Sequence, residues 1–246
     1  GSEMCIRDSG LLSKRITDIP GCSDYYLGGV CSYANEVKMN VLGVRKETLD
    51  TVGAVSAETA EQMAAGVAKA LGADIPFCDP TQAYFEQADR EPLFFRTDHH
   101  WTVYGAFAAY QAWARSVGLT PLQMEDYTAK TVSADFLGTL YSKANLPWIQ
   151  PEKLEIFEPK QKNPCQVTAE NGKIKLNSLY DSSFLEGRDK YSYFLGGNHP
   201  VTEVTTSVKN GRNLLILKDS YAHSFVPFLT AHFETCLLYT SDAADE

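Results

Sequence analysis

Two apolar runs that end in reactive side chains constrain this sequence more than any other feature. Leu93 to Arg96 leads into Thr97-Asp98-His99-His100-Trp101-Thr102, and Asn213 to Leu217 leads into Lys218-Asp219-Ser220-Tyr221. Short apolar runs of this length read as buried strands, and α/β folds place reactive side chains where strands end. The expected class is therefore α/β, with an acid, an imidazole and a hydroxyl gathered at one edge of a sheet.

The surrounding pattern supports that class. Thr102 can cap a helix in which Val103, Phe107, Tyr110, Ala114 and Val117 form an apolar stripe, ended by Gly118. Asn171-Gly172 lies between Cys165–Thr168 and Lys173–Leu176 and predicts a two-residue hairpin turn. Val201 to Ser207 alternates like a strand, Asn210-Gly211 turns, and Pro227 fits the first turn of a helix capped by Ser224. Before Asp74 the character differs. There the spacing predicts a helix over Leu11–Thr17, a strand over Leu27–Tyr33 and a helix over Asn35–Leu42. A further helix is capped by Ser56, carries Ala60, Met63, Ala64, Val67 and Leu71 on one face, and ends at Gly72. A short strand over Ile75–Cys78 follows.

Bulk properties exclude several function classes. The 246 residues allow one large domain or two small ones, and 44% hydrophobic content is enough for a buried core. A formal charge of -9 argues against a nucleic-acid groove, which needs clustered Lys and Arg. Cys5, Cys22, Cys31, Cys78, Cys165 and Cys236 show neither a zinc spacing nor a disulfide framework. No apolar run approaches the roughly 20 residues of a membrane span, and no signal-peptide core is visible. The chain as written is expected to stay in the cytoplasm and to need no cofactor.

Asp98 and His100 are two apart, so in an extended segment they share a side. The carboxylate can then hold one ring nitrogen and leave the other as a base. Ser220 follows a buried strand, and the backbone N–H groups of its turn can stabilise an oxyanion, at about 3 kcal/mol per donor. Leu195-Gly196-Gly197-Asn198-His199 is a candidate site wall, with Gly197 for close approach and Asn198 as an amide donor. His99, Trp101 and Tyr221 flank the motifs as substrate-side candidates, while His223 and His232 read as surface or packing residues. Other readings stay open: Asp98 as a cap of the next helix, and Asp219-Ser220 as an ordinary loop cap. A metal on Asp98, His99 and His100 lacks an obvious further ligand, so no metal is expected.

Residues from about Pro76 to Thr235 resemble the DHHW protein family, named for the motif that stands here as Asp98-His99-His100-Trp101. Phe194-Leu195-Gly196-Gly197-Asn198 and Lys218-Asp219-Ser220-Tyr221-Ala222 match it too. The family is similar to SGNH-hydrolase-like acyltransferases that O-acetylate bacterial exopolysaccharides. The resemblance implies a three-layer α/β/α domain with Ser220 as nucleophile, His100 as base and Asp98 as its orienter. It also implies a small acyl donor, a carbohydrate acceptor and an extracytoplasmic setting for the full-length parent.

Residues from about Gly10 to Ile75 resemble the N-terminal half of a CinA C-terminal domain, of the nicotinamide-mononucleotide amidohydrolase type. Arg15-Ile16-Thr17-Asp18-Ile19-Pro20-Gly21, Tyr26-Leu27-Gly28-Gly29-Val30 and Gly53-Ala54-Val55-Ser56 carry that resemblance. That family's Glu-Ser-Cys-Thr-Gly-Gly motif is replaced by Cys5 to Gly10, and its Thr-Gly-Ile-Ala-Gly-Pro motif is absent. No catalytic residue transfers from it. Residues 1–9 and 236–246 resemble translated sequencing adapters and are set apart as tails. The expected organisation is tail 1–9, CinA-like α/β fragment 10–75, DHHW/SGNH-like domain 76–235 truncated at its N-terminus, and tail 236–246. The expected function is a serine acyl-esterase or O-acetyltransferase. The alternatives are an amidohydrolase fragment or a non-functional chimera of the two families.

Overall fold

The computed structural model describes residues 35–54, 56–70, 78–87, 89–144 and 148–240. The chain divides into two compact units, Gly1–Pro76 with Ala243–Glu246, and Phe77–Asp242. The first unit holds helices α1 (Asn35–Asn40), α2 (Lys46–Thr51) and α3 (Ala57–Ala70), with Leu42 and Val44 buried in the link between α1 and α2. Ser56 caps α3 as expected, its Oγ accepting from the Thr59 N–H at 3.1 Å. Met63 and Val67 are half-buried, whereas Ala60 and Ala64 of the same expected stripe are exposed. The expectations for Leu11–Thr17, Leu27–Tyr33, Leu71, Gly72 and nearly all of Ile75–Cys78 lie outside the described residues.

The second unit opens with α4 (Thr81–Gln87) and the central helix α5 (Val103–Ser116). Thr102 caps α5 by accepting from the Gly105 N–H at 3.4 Å. Its stripe Val103, Phe107, Tyr110 and Ala114 is buried, while Val117, one residue past the last turn, is exposed. Strands β1 (Tyr127–Phe136) and β2 (Glu152–Pro159) form an antiparallel pair, with α6 (Thr139–Ala144) between them in sequence.

Among the described residues the main sheet has five strands in the order β4-β3-β5-β7-β6. These are β3 (Gln166–Ala169), β4 (Ile174–Leu176), β5 (Val201–Thr205), β6 (Asn213–Lys218) and β7 (Thr235–Thr240). Among the described residues only β6 and β7 pair in parallel. The crossover between them runs through the 3₁₀ turn Ser220–Ser224 and α7 (Val226–Leu229), because parallel neighbours need a connection that returns the chain to the same end. Val167, Val204, Cys236 and Leu238 on the sheet pack with Phe107 and Tyr110 of α5 and Phe228 of α7 into the main core. A second core joins Phe95, Phe136, Leu154, Ile156, Tyr191, Tyr193 and Phe194. No helix among the described residues is long and apolar enough to cross a membrane.

Four expectations need correction. Ser224 does not cap α7: Phe225 stands at the N-cap and no side-chain bond caps the helix. Leu93 to Arg96 is not a strand. It is one side of a tight loop closed by Phe95 N–H to His100 O at 3.1 Å and Thr102 N–H to Leu93 O at 2.9 Å. The two-residue turn at Asn171-Gly172 is a longer connection in which Ala169 faces Ile174, with positive φ at Glu170 (49°), Asn171 (54°) and Gly172 (85°). Setting residues 236–246 apart as a tail also fails for Cys236–Thr240. Those residues are most of β7, flanked by β5 and β6, with Cys236, Leu238 and Thr240 buried in the alternating pattern of an inner strand.

Candidate active site

Ser220 stands just beyond the end of β6, where the chain turns into the crossover. Asp219 shapes that turn: its Oδ1 accepts the Tyr221 N–H at 3.0 Å, and its carbonyl accepts the Ala222 N–H at 3.3 Å. Both N–H groups therefore serve the turn. Ser220 Oγ lies 2.8 Å from His100 Nε2, and His100 Nδ1 lies 2.5 Å from Asp98 Oδ1. A carboxylate can only accept, so Nδ1 carries the ring proton. The lone pair of Nε2 is left to accept from the serine hydroxyl.

Asp98 and His100 do not meet by simple alternation along a strand. Asp98 Oδ1 also accepts the His100 backbone N–H at 3.0 Å, which bends the segment back on itself. The second oxygen, Oδ2, accepts the Thr139 N–H at 2.8 Å and the Thr139 hydroxyl at 3.2 Å. Burial alone would raise the Asp98 pKa. The hydrogen bonds from His100 and Thr139 outweigh it and hold the carboxyl far below its ordinary value. All three side chains are buried.

The bend is fixed from outside. Glu152, first residue of β2, accepts the Arg96 N–H at 3.0 Å and the Thr97 N–H at 2.7 Å. Desolvation works against its charge, but these bonds prevail and lower its pKa. Gly138 presses on the opposite side. A Cβ there would come within 2.2 Å of Asp98 Cβ and Oδ2, so only glycine fits without displacement.

Trp101 Nε1–H donates to Tyr221 O at 2.9 Å and to Ser224 Oγ at 2.8 Å, tying the histidine segment to the serine turn. The Tyr221 hydroxyl donates to His99 O across the same gap. His99 is partly exposed and meets Thr139 Oγ1 through Nδ1 at 2.6 Å. The Tyr191 ring stacks on His100 with centroids 3.8 Å apart and planes 8° apart.

Asn198 Oδ1 accepts from Lys218 Nζ at 2.8 Å, which leaves the Asn198 NH₂ as the free end of that amide. Lys218 Nζ also donates to His223 Nε2 at 2.8 Å. Burial first, then the Lys218 cation, pushes His223 well below its ordinary pKa, so it is neutral. Gly197 needs its φ of +99°, and its N–H closes a turn onto Phe194 O at 3.3 Å instead of facing outward. His232 bonds the Tyr110 hydroxyl at 2.7 Å and packs against that ring. Donor atoms of Asp98, His99 and His100 lie within 4.8 Å of one another. Both His100 nitrogens already have partners, so the group fits a hydrogen-bond relay better than an ion.

Asp98, His100 and Ser220 are thus brought together, with Trp101, Tyr221 and His99 around them. Sequence reasoning missed Thr139, Gly138, Glu152 and Tyr191, which reach this site from distant segments and carry no local motif, and it read Ser224, in the nucleophile's own turn, only as a helix cap.

Residues 81–239 match the model of the family described as DHHW protein, so the chain belongs to that family. Residues 7–77 match the CinA C-terminal domain. A protein of Halothermothrix orenii described as competence-damage inducible is 61% identical over 66 residues, which are 27% of this chain and 16% of that protein. The chain thus spans about a sixth of the length of the curated relatives it matches. In fold, a DHHW family protein of Eubacterium siraeum is similar with a TM-score of 0.62 and 23% identity, over 80% of this chain and 66% of that one. Bacillus cereus PatB1 with a sulfonyl adduct is similar with a TM-score of 0.53 and 20% identity, over 70% and 59%. The fold is of the mixed α/β class, similar to that of the DHHW family protein.

Proposed function

We propose that the DHHW unit is a serine acyl-transfer enzyme, an esterase or O-acetyltransferase whose acceptor is a hydroxyl of bacterial cell-surface polysaccharide. The observation that carries this reading is the unbroken relay from Asp98 through His100 to Ser220, at 2.5 and 2.8 Å. A serine hydroxyl is a weak nucleophile until an adjacent base takes its proton. Here Ser220 Oγ attacks the acyl carbonyl as its proton passes to His100 Nε2. Asp98 holds the ring tautomer and faces the imidazolium that forms. The tetrahedral intermediate collapses, and the departing alcohol leaves with that proton. An acceptor hydroxyl then gives its proton to Nε2 and attacks the acyl-serine. Collapse of this second intermediate returns the proton to Ser220 Oγ. The Asn198 NH₂ is the side-chain donor for the oxyanion in this reading, since the N–H groups of Tyr221, Ala222 and Gly197 serve their own turns.

With a sugar acceptor, the native work of this unit in this reading is at the cell envelope. Residues 7–77 receive no activity, because the motifs that would carry amide hydrolysis are replaced or absent. The test is turnover of p-nitrophenyl acetate by the full chain, with and without an oligosaccharide acceptor, beside Ser220→Ala and His100→Ala. Loss of roughly 10³-fold or more in kcat in both variants is expected, as for other serine relays. Sulfonyl fluoride labelling confined to Ser220 is the parallel expectation. A rate indifferent to both substitutions in folded proteins sinks the assignment.

A further inference from the structure

We infer that Tyr191 is a positioning residue for the base: its ring is the plate that holds the plane of the His100 imidazole through the reaction cycle. The inference rests on the acyl-transfer reading above. The χ2 torsion of histidine is broad, so nothing within His100 itself sets its ring plane. The setting comes from its neighbours. Tyr191 lies 3.8 Å from the ring at 8°, and His99 lies 3.9 Å from it at 37°. Two rings cannot both occupy one face at those distances, so the imidazole sits between them. The two plates are unequal. His99 is exposed, whereas Tyr191 is buried in the short 3₁₀ helix Lys190–Tyr193 and backed by Phe194 at 5.4 Å.

Tyr191 is also anchored to the turn that carries the nucleophile. Its hydroxyl meets Ser224 Oγ at 2.9 Å, the same oxygen that accepts from Trp101 Nε1 at 2.8 Å. The plate, the histidine segment and the serine turn therefore share one buried junction. In the resting site His100 is held at both nitrogens, and the plate adds little. Once the acyl group is on Ser220, its Oγ has no proton to donate, and Nε2 loses that tie. Asp98 alone is then a pivot at Nδ1. Tyr191 keeps Nε2 aimed at the incoming hydroxyl during this second half-reaction. Its electron-rich face also favours the imidazolium formed at each proton transfer.

Tyr191→Leu removes the plate and Tyr191→Phe keeps it while removing the anchor. The Leu variant should lose about 10- to 100-fold in kcat, with KM within about 2-fold, because misaimed reacting groups cost rate and not binding. Deacylation should slow more than acylation in a burst experiment, and Phe should recover most of the loss. A second readout needs no turnover: the low-field proton resonance of His100 Nδ1–H, followed in a Ser220→Ala background and assigned by its loss in Asp98→Asn. It should stay sharp with Phe and broaden or vanish with Leu. If the parent has no esterase rate, the functional reading fails, yet the resonance still decides the role of Tyr191. Should Leu fail to fold, Tyr191→Met supplies a flexible apolar side chain for the same comparison. A Leu or Met variant that folds, keeps the resonance and keeps kcat overturns the inference.

Discussion

Gly138→Ala perturbs the site without removing a single reactive group. The added Cβ would stand 2.2 Å from Asp98 Cβ and Oδ2 and 2.5 Å from Cγ. Non-bonded carbons settle at about 3.5–4.0 Å, so the two side chains must part by more than about 1 Å. Asp98 has little room to retreat. Thr139 holds its Oδ2 through two hydrogen bonds, and His100 holds Oδ1 from both its ring and its backbone. Either the 2.5 Å contact to His100 opens or the turn at Thr139 peels away and leaves the carboxylate under-bonded.

A displacement of that size at a reacting group costs about 10²-fold in rate, or about 2.7 kcal/mol of transition-state stabilisation. Overpacking takes about 1–3 kcal/mol from stability, which a domain of this size survives. The measurement is kcat/KM on p-nitrophenyl acetate together with a thermal melt. Gly211→Ala is the control, since a Cβ there meets nothing within 4 Å but its φ of +69° imposes a backbone cost. The expected outcome is a roughly 10²-fold loss for Gly138→Ala, and no loss for Gly211→Ala at comparable melting temperature. A folded Gly138→Ala with unchanged kcat/KM would refute the view that the fit around Asp98 sets the relay.

Three further outcomes follow from the packing. Asp98 and Glu152 both have lowered pKa values in the fold, from ordinary values of 3.8 and 4.5. The unfolded chain therefore binds more protons as pH falls through that range. The stability they contribute is present above those ordinary values and is lost below them. Glu152→Gln should flatten the acid side of a melting-temperature profile taken from about pH 6 to about pH 3. Leu238→Ala, in β7, should cost about 2–5 kcal/mol in denaturant unfolding because the side chain is fully buried in the main core. A negligible cost would show that β7 is not part of the folded sheet. Tyr110→Phe removes the hydroxyl that accepts the Leu122 N–H at 2.9 Å and pairs with His232, and should cost about 1–3 kcal/mol while leaving kcat unchanged.

Helix α5 was legible because its period, cap and closing glycine all agree, and burial then follows from the stripe. The relay was legible for a different reason. Asp98 and His100 contact each other within one bend, so most of the geometry is local, and Ser220 needed only a strand to carry it to the same edge. The run before the bend misled because its bonds close a loop instead of pairing with a strand, Phe95 N–H going to His100 O within the bend. Arg96 and Thr97 give their N–H groups to Glu152, more than fifty residues away, where a strand would have given them to a neighbouring strand. Strand β7 misled through resemblance: Cys236–Thr240 reads as translated adapter, yet its alternation suits the gap between β5 and β6.

The contrast has a physical basis. Proton transfer and nucleophilic attack need functional groups that few residue types possess, so a reactive histidine or serine stands out in a sequence. Holding those groups in place needs backbone N–H donors, a missing Cβ or an aromatic face, which most of the chain can supply. Gly138 is one of 17 glycines and Tyr191 one of 13 tyrosines, and nothing beside either one marks it. Their significance arises only when the 138–139 turn meets Asp98 on one side and the 190–193 turn meets His100 on the other. Substitutions at Gly138 and Tyr191 therefore test the site more stringently than substitutions in the motif, because they alter placement while leaving the chemistry intact.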